Sequence, residues 1–124
     1  LIFISGQIPI TDGNMLFTGK VSKDVEISSA VKAAELCMLN SFAILKNAVQ
    51  NNLNIIRKCI KINVFINSDD VFINQPEVAD GASNLITKIM SPNSDHARSA
   101  VSVNSLPKNA TVEIDSIFEI AFEK

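Results

Sequence analysis

The stretch TVEIDSIFEIAF, residues Thr111–Phe122, alternates more regularly than any other part of the sequence. One parity holds the acidic residues Glu113, Asp115 and Glu119. The other parity is apolar and consists of Val112, Ile114, Phe118, Ile120 and Phe122. Successive residues of a strand point to opposite faces of a sheet. The pattern therefore predicts a strand with one face against a core and the other carrying carboxylates.

Working outward, apolar spacing and turn residues predict further strands, a hairpin and two helices. The predicted strands are Leu1–Ser5, Met15–Thr18 (the return strand of a hairpin that turns at Thr11–Asn14), Ile60–Asn67 and Ala97–Val103. The predicted helices run from a cap at Ser28 or Ser29 to about Gln50, and from near Pro76 to about Met90. This ββ-α-β-α-ββ order predicts an α+β fold in which two helices cover one face of a mixed sheet.

Length and composition indicate one domain. The 124 residues are 47% hydrophobic, which is enough for a core of ordinary size. No repeat, linker or low-complexity tract divides residues 1–124. The chain starts abruptly in strand-like sequence, so we expect a first strand to be missing at its N-terminus.

Charge and cysteine usage argue against several function classes. The net charge is −2 and the 11 basic residues are scattered, so a nucleic-acid partner is not favoured. No apolar run approaches the ~20 residues of a membrane span, so no membrane partner is expected. Cys37 and Cys59 have neither a zinc nor a redox-motif spacing, which indicates buried thiols in a reducing compartment. We expect the cytoplasm, with the mitochondrion as the alternative.

The two last strands hold the candidate site. If their apolar sets point the same way, Arg98 lies on the same face as Glu113, and that mixed face suits a subunit interface with a polar pocket. Arg98 is otherwise a surface arginine or the partner of Asp95 or Glu113 in an ion pair, and Glu113 is otherwise a solvated carboxylate. His96, the only histidine, fits a loop residue. No serine has the context of a nucleophile, and no metal-ligand spacing occurs.

Two motifs resemble those of the reactive-intermediate deaminase family, also called the YjgF or L-PSP endoribonuclease family. The first is Ser5-Gly6-Gln7-Ile8-Pro9. The second is Ala97-Arg98-Ser99-Ala100-Val101, followed by Leu106-Pro107 and Val112-Glu113-Ile114-Asp115. The resemblance covers essentially the whole chain. Gly19-Lys20-Val21, Asp80-Gly81-Ala82-Ser83 and His96 resemble one branch, in which His-Ala-Arg-Ser replaces Pro-Ala-Arg-Ser.

This resemblance implies a fold like that of bacillus-type chorismate mutase, assembled as a homotrimer whose sheets close into a barrel with clefts between subunits. It implies hydrolysis of 2-imino or enamino acids to 2-keto acids and ammonia without a metal or an organic cofactor. Arg98 would bind the substrate carboxylate and Glu113 would activate a water. Gly6, Ser5 and Ala100 would complete the binding site.

Three departures from the family pattern bear on this function. Ala100 stands where many of the deaminases have a cysteine, the chain has no tyrosine, and the second-helix region, residues 71–94, differs. The alternatives are a carboxylate-binding or regulatory trimer without turnover, and the ribonuclease that the family name describes. The negative charge and the absence of stacking aromatic residues argue against the ribonuclease.

Overall fold

The computed structural model describes residues 1–122 and has the predicted α+β architecture. The strands are β1 (Ile2–Gln7), β2 (Ile10–Thr11), β3 (Asn14–Met15), β4 (Ile56–Asn67), β5 (Ala97–Val103) and β6 (Val112–Ile120), and the helices are α1 (Ile27–Ala48) and α2 (Gln75–Met90). Short 3-10 turns occupy Leu53–Ile55 and Pro107–Asn109. The predicted order of elements is confirmed from α1 onward, with differences of a few residues at most boundaries, whereas three strands and not two precede α1.

Four strands form one mixed sheet in the order β1-β6-β4-β5. β6 is antiparallel to both of its neighbours, β1 and β4. β5 runs parallel to β4, and α2 provides the crossover that parallel neighbours require. This order places β5, which carries Arg98, at one edge of the sheet.

The predicted hairpin is shorter than expected, and β1 is not part of it. β1 pairs with β6 from the other end of the chain. The hairpin joins β2 to β3 through Asp12 and Gly13, whose φ values are 50° and 78°. Positive φ at both central residues is typical of a type I′ turn, which matches the twist of the two strands. Of the predicted return strand, residues 15–18, only Met15 lies in β3, and Thr18 forms an isolated bridge to Ala110.

The core lies between one face of the sheet and the two helices. On β6, the residues Val112, Ile114 and Phe118 are fully buried, as their parity predicts. Phe118 meets Phe42 of α1 edge to face, with ring centroids 5.4 Å apart. Cys37 and Cys59 are free and buried, which confirms the prediction of buried thiols. Burial raises the pKa of Cys59 to about 11, so this thiol stays protonated near neutral pH.

Helix α1 begins at Ile27, and neither Ser28 nor Ser29 caps it. The N-cap residue is Glu26, which makes no side-chain capping bond. With 22 residues and a mean hydropathy of 1.2 over its most apolar 18-residue window, α1 meets the length and composition of a membrane-spanning helix, although no such span was expected. In this fold its small residues are instead buried in the core; they are Ala30, Ala33, Ala34 and Cys37.

The two helices approach each other closely at Gly81 of α2. A Cβ atom added to Gly81 would lie 2.1 Å from the carbonyl oxygen of Val31 in α1. That atom belongs to the backbone and cannot turn away. Gly81 therefore sets the distance of α2 from α1, and with it the position of the side chains that α2 directs at β5.

Candidate functional site

Arg98 lies on the helix-covered side of the sheet. In the parallel pairing of β5 with β4, Arg98 is in register with Ile62, which is fully buried in the core. Residues paired in register project to the same face. The guanidinium accordingly reaches two side chains of α2.

Glu113 lies on the opposite face, so the prediction that Arg98 and Glu113 share a face is wrong within one chain. Glu113 is in register with Phe65 of β4, one residue out of phase with the buried Val64 and Ile66. The two site residues also lie on strands separated by β4 and are three register positions apart, which amounts to roughly 14 Å between their Cα atoms. The reason lies in β5, where Val101 faces outward and is 47% exposed.

Two side chains of α2 hold the guanidinium of Arg98. Its Nη1 donates to Oδ1 of Asp80 at 2.8 Å and to Oγ of Ser83 at 3.2 Å. The Arg98 side chain is 26% exposed and that of Asp80 is 57% exposed. Within residues 1–122, Nε and Nη2 have no hydrogen-bond partner. The guanidinium is thus held through one nitrogen, and the edge formed by Nε and Nη2, which matches the two oxygens of a planar anion, is not engaged in a hydrogen bond within the described residues.

His96 supports this arrangement from the start of β5. Its Nδ1 lies 2.8 Å from the carbonyl oxygen of Ser94, and its Nε2 lies 2.8 Å from Oγ of Ser83. A carbonyl oxygen only accepts, so Nδ1 carries the proton and, in the neutral ring, Nε2 accepts from the Ser83 hydroxyl. That leaves a lone pair of Ser83 for Arg98. His96 therefore orients Ser83, which in turn orients Arg98.

Sequence reasoning missed Asp80 and Ser83 as partners of Arg98. They are three residues apart on α2, which places them on one face of the helix. The stretch Asp80-Gly81-Ala82-Ser83 resembles one branch of the family, but a contact between a helix and a strand has no local sequence signal. Ser83 also forms a serine–histidine pair with His96 that the sequence did not suggest.

Glu113 lies against the first strand at Gly6. The pairing of β1 with β6 is interrupted between Ile4 and Gln7, so Ser5 and Gly6 form an irregularity in the strand. A Cβ atom on Gly6 would lie 2.9 Å from both Cδ and Oε2 of Glu113. The structure thus brings two of the predicted site residues, Gly6 and Glu113, together. Within the described part of the chain, the Glu113 carboxylate accepts no hydrogen bond.

Ala100 follows Arg98 on the same face of β5. It is in register with the buried Val64 and packs partly buried against the core. Its methyl group therefore lies beside the arginine cluster and away from Glu113. Among residues 1–122, no group of three or more His, Cys, Asp or Glu side chains is arranged to hold a metal ion.

A separate cleft of about 690 Å³ opens between α1, the C-terminal end of α2 and the start of β4. Its walls are mainly apolar and include Leu39, Phe42 and Ile89, with Lys46 and Arg57 at its border. None of the predicted site residues lines it. The cleft is therefore a feature distinct from the Arg98 and Glu113 clusters.

Comparisons with known proteins agree with the motifs. A family model described as "YjgF/chorismate mutase-like, putative endoribonuclease" matches residues 1–120. Protein TCP17 of Trypanosoma cruzi is 34% identical over 120 residues, which are 96% of this chain and 74% of that protein. The crystal structure of Atu1372 from Agrobacterium tumefaciens, a protein of unknown function, superposes with a TM-score of 0.93 at 46% identity and covers 96% of this chain and 75% of its own.

Escherichia coli TdcF, solved with bound serine, shares the fold at lower similarity. Its TM-score is 0.61 at 22% identity, over 97% of this chain and 80% of that one. At this identity the comparison establishes the fold alone.

Proposed function

The chain belongs to the YjgF/chorismate mutase-like family, and from that premise we propose that it hydrolyses small 2-imino acids to 2-keto acids and ammonia as a homotrimer. The observation that carries the proposal is the state of Arg98. A half-buried guanidinium that is held at Nη1, with Nε and Nη2 not hydrogen-bonded within residues 1–122, suits a carboxylate because the two nitrogens match its two oxygens. The serine bound to TdcF is a small amino acid and belongs to a similar ligand class.

Glu113 supplies the base of the proposed reaction. Its carboxylate takes a proton from water, and the resulting hydroxide adds to the imine carbon as the C=N π electrons move to nitrogen. The proton held by Glu113 then passes to that nitrogen. Glu113 then moves the hydroxyl proton of the tetrahedral intermediate to the amino nitrogen, the C=O bond forms and the C–N bond breaks, so ammonia leaves and Glu113 is again a carboxylate. No oxidant or reductant is needed.

The proposed trimer would bring Arg98 of one copy to Glu113 of the next. Within one chain these side chains occupy opposite faces, so a shared cleft requires two copies. The open face of the sheet supports such an assembly, because Phe3 on β1 is 70% exposed and Val101 on β5 is 47% exposed. Phe65 and Ile117 continue this apolar surface between them. Apolar contact around a few fixed charges is typical of oligomer interfaces.

The direct test measures pyruvate release from 2-aminoacrylate generated in situ, which tautomerises to the imine. We expect the protein to accelerate release over buffer, and Glu113→Gln to lower kcat about 100-fold, as for loss of a general base. The matched control is Glu119→Gln, a carboxylate of the same strand and parity. An equal rate in protein and buffer contradicts the function, and equal losses in the two variants contradict the role of Glu113.

Subunit mixing tests whether the site spans two copies. Arg98→Ala and Glu113→Gln subunits, each inactive alone, are co-expressed and purified as mixed trimers. If the site is shared, some clefts combine an intact Arg98 with an intact Glu113 and activity returns. Mixed trimers without activity would contradict a site shared by two copies, and with it the joint role of Arg98 and Glu113.

Gly6 offers a prediction that separates activity from stability. In Gly6→Ala the new methyl group displaces the Glu113 carboxylate, so we expect kcat to fall about 10- to 100-fold, as for a misplaced catalytic group. Because the displaced atoms end a flexible side chain, the midpoint of urea unfolding should hardly change. Gly13→Ala is the control: nothing lies within 4 Å of that position, but its φ of 78° strains alanine. It should lose stability and keep kcat, and the reverse pattern would refute this role of Gly6.

The family name suggests a ribonuclease as the second candidate. The net charge of −2 and the carboxylates of the open face, Glu113, Asp115 and Glu119, disfavour a polyanion there. A trimer that binds carboxylates through Arg98 without turnover remains the alternative outcome of the pyruvate assay, recognised by Arg98-dependent binding in the absence of catalysis.

A further inference from the structure

The partner of Arg98 has a chemical consequence for the ligand. Asp80 lies in the open, 57% exposed, and uses Oδ1 to accept from Nη1 of Arg98 at 2.8 Å. Its second oxygen, Oδ2, has no hydrogen-bond partner within residues 1–122. The proposed carboxylate site is therefore a pair of opposite charges, and each member has an unused polar edge.

Such a pair discriminates between ligands by their charge. A simple carboxylate that approaches Arg98 also approaches the Asp80 carboxylate and is repelled by it. A ligand with a positively charged nitrogen on the carbon next to its carboxylate meets both groups with the opposite sign. Its carboxylate would lie on Nε and Nη2 of Arg98, and its nitrogen would donate to Oδ2 of Asp80.

We propose that Asp80 determines specificity by selecting zwitterionic 2-iminium and 2-ammonium acids over simple carboxylates. The inference rests on the proposed function, in which Arg98 binds the carboxylate, and it narrows the class of substrate. The same preference would also favour release of the product over the substrate, because hydrolysis converts an iminium acid to a 2-keto acid that lacks the cationic nitrogen. The product loses its contact with Asp80 and is repelled, which favours release.

Among the groups described around Arg98, Asp80 is the one that brings a negative charge close enough to affect a ligand. On the other side of Arg98, the His96 ring lies 2.8 Å from Oγ of Ser83 and 2.8 Å from the Ser94 carbonyl oxygen, and an imidazole contributes no negative charge. Asp95 is exposed in the segment before β5 and makes no ion pair with Arg98. Asp95 is thus a control of equal charge close in sequence to the site.

The test is calorimetric titration of alanine, propionate and pyruvate into the full chain at pH 7. Alanine carries both charges, and the other two ligands carry only the carboxylate. For the wild type we expect alanine to bind about 10-fold more tightly than propionate or pyruvate. In Asp80→Asn, which keeps the oxygen that accepts from Arg98, the ratio should fall to about 1 while propionate binds more tightly. Asp95→Asn should keep the wild-type ratio.

The outcomes separate this inference from the function on which it rests. An alanine preference that persists in Asp80→Asn, or Arg98-dependent binding of all three ligands with equal affinity, overturns the role of Asp80 and leaves the carboxylate site in place. Binding that is unchanged in Arg98→Ala, or no binding of any ligand, overturns the carboxylate site itself. Circular dichroism of each variant verifies that the fold is retained, which the exposure of Asp80 leads us to expect.

Discussion

Replacing Arg98 with alanine is expected to lower kcat/KM for the imino acid about 1000-fold. The substitution removes the carboxylate partner and also leaves Asp80 without its counter-charge beside the ligand. Truncating one member of a partly desolvated charge pair costs about 4 kcal/mol in comparable sites, and each ~1.4 kcal/mol is a factor of ten in rate. Steady-state measurement of pyruvate release over a range of imine concentrations gives the ratio directly.

Arg57→Ala is the matched control for this loss. Arg57 is the other arginine of the chain; it is exposed on β4 and borders the separate apolar cleft. We expect it to keep wild-type kcat/KM. Arg98→Lys should fall between the two, because an ammonium keeps the charge but cannot serve Asp80, Ser83 and a bidentate carboxylate in one plane. A kcat/KM in Arg98→Ala within about threefold of wild type would exclude Arg98 from the site.

Replacing Gly81 with alanine is expected to lower the free energy of unfolding by about 4 kcal/mol, more than typical overpacking. The added Cβ would lie 2.1 Å from the Val31 carbonyl oxygen and 3.0 Å from its carbon, so the helices must separate. Helix propensity alone predicts the opposite sign, since alanine is favoured over glycine by about 1 kcal/mol in a helix interior. Urea unfolding followed by circular dichroism decides between the two.

Asn84→Ala provides the comparison on an exposed position of the same helix. There propensity acts without a clash, so stability should stay the same or rise slightly. A soluble Asn84→Ala alongside an insoluble or strongly destabilised Gly81→Ala agrees with the close contact of α1 and α2. A Gly81→Ala variant as stable as wild type would contradict a close contact between α1 and α2 at this residue.

A strand's buried face can be predicted from the sequence only where apolar and polar residues separate clearly between its two parities. β6 separates apolar from acidic residues by parity, so its buried face is predictable. β5 offers Arg98, Ala100 and Ser102 on one side and Ser99, Val101 and Val103 on the other, as the sequence shows. The apolar side suggested the core, but β5 is an edge strand whose valines face outward. The two-residue strands β2 and β3 are too short to show an alternation of apolar and polar residues.

One part of the candidate site could be predicted from the sequence and the other part could not. The Gly6 and Glu113 motifs were identified from resemblance, and their proximity follows once β1 pairs with β6. The hydrogen bonds from Arg98 to Asp80 and Ser83 depend on where α2 lies over β5. The position of α2 depends in turn on its packing against α1 at Gly81, and no local sequence pattern reveals it. Tertiary contacts of this kind determine the chemistry of the arginine and have no signature in a single sequence.

The pairing of β1 with β6 joins the beginning of the chain to its end, whereas β4, α2 and β5 follow one another directly. Contacts between distant segments cost more chain entropy to form than local ones, and β1 pairs along one side only, at the edge of the sheet opposite β5. Opening of β1 would remove Gly6 from Glu113 and leave Arg98 with Asp80 and Ser83. In the proposed function, loss of the β1 pairing would thus disturb the Glu113 side of the site without breaking the contacts of Arg98 with α2.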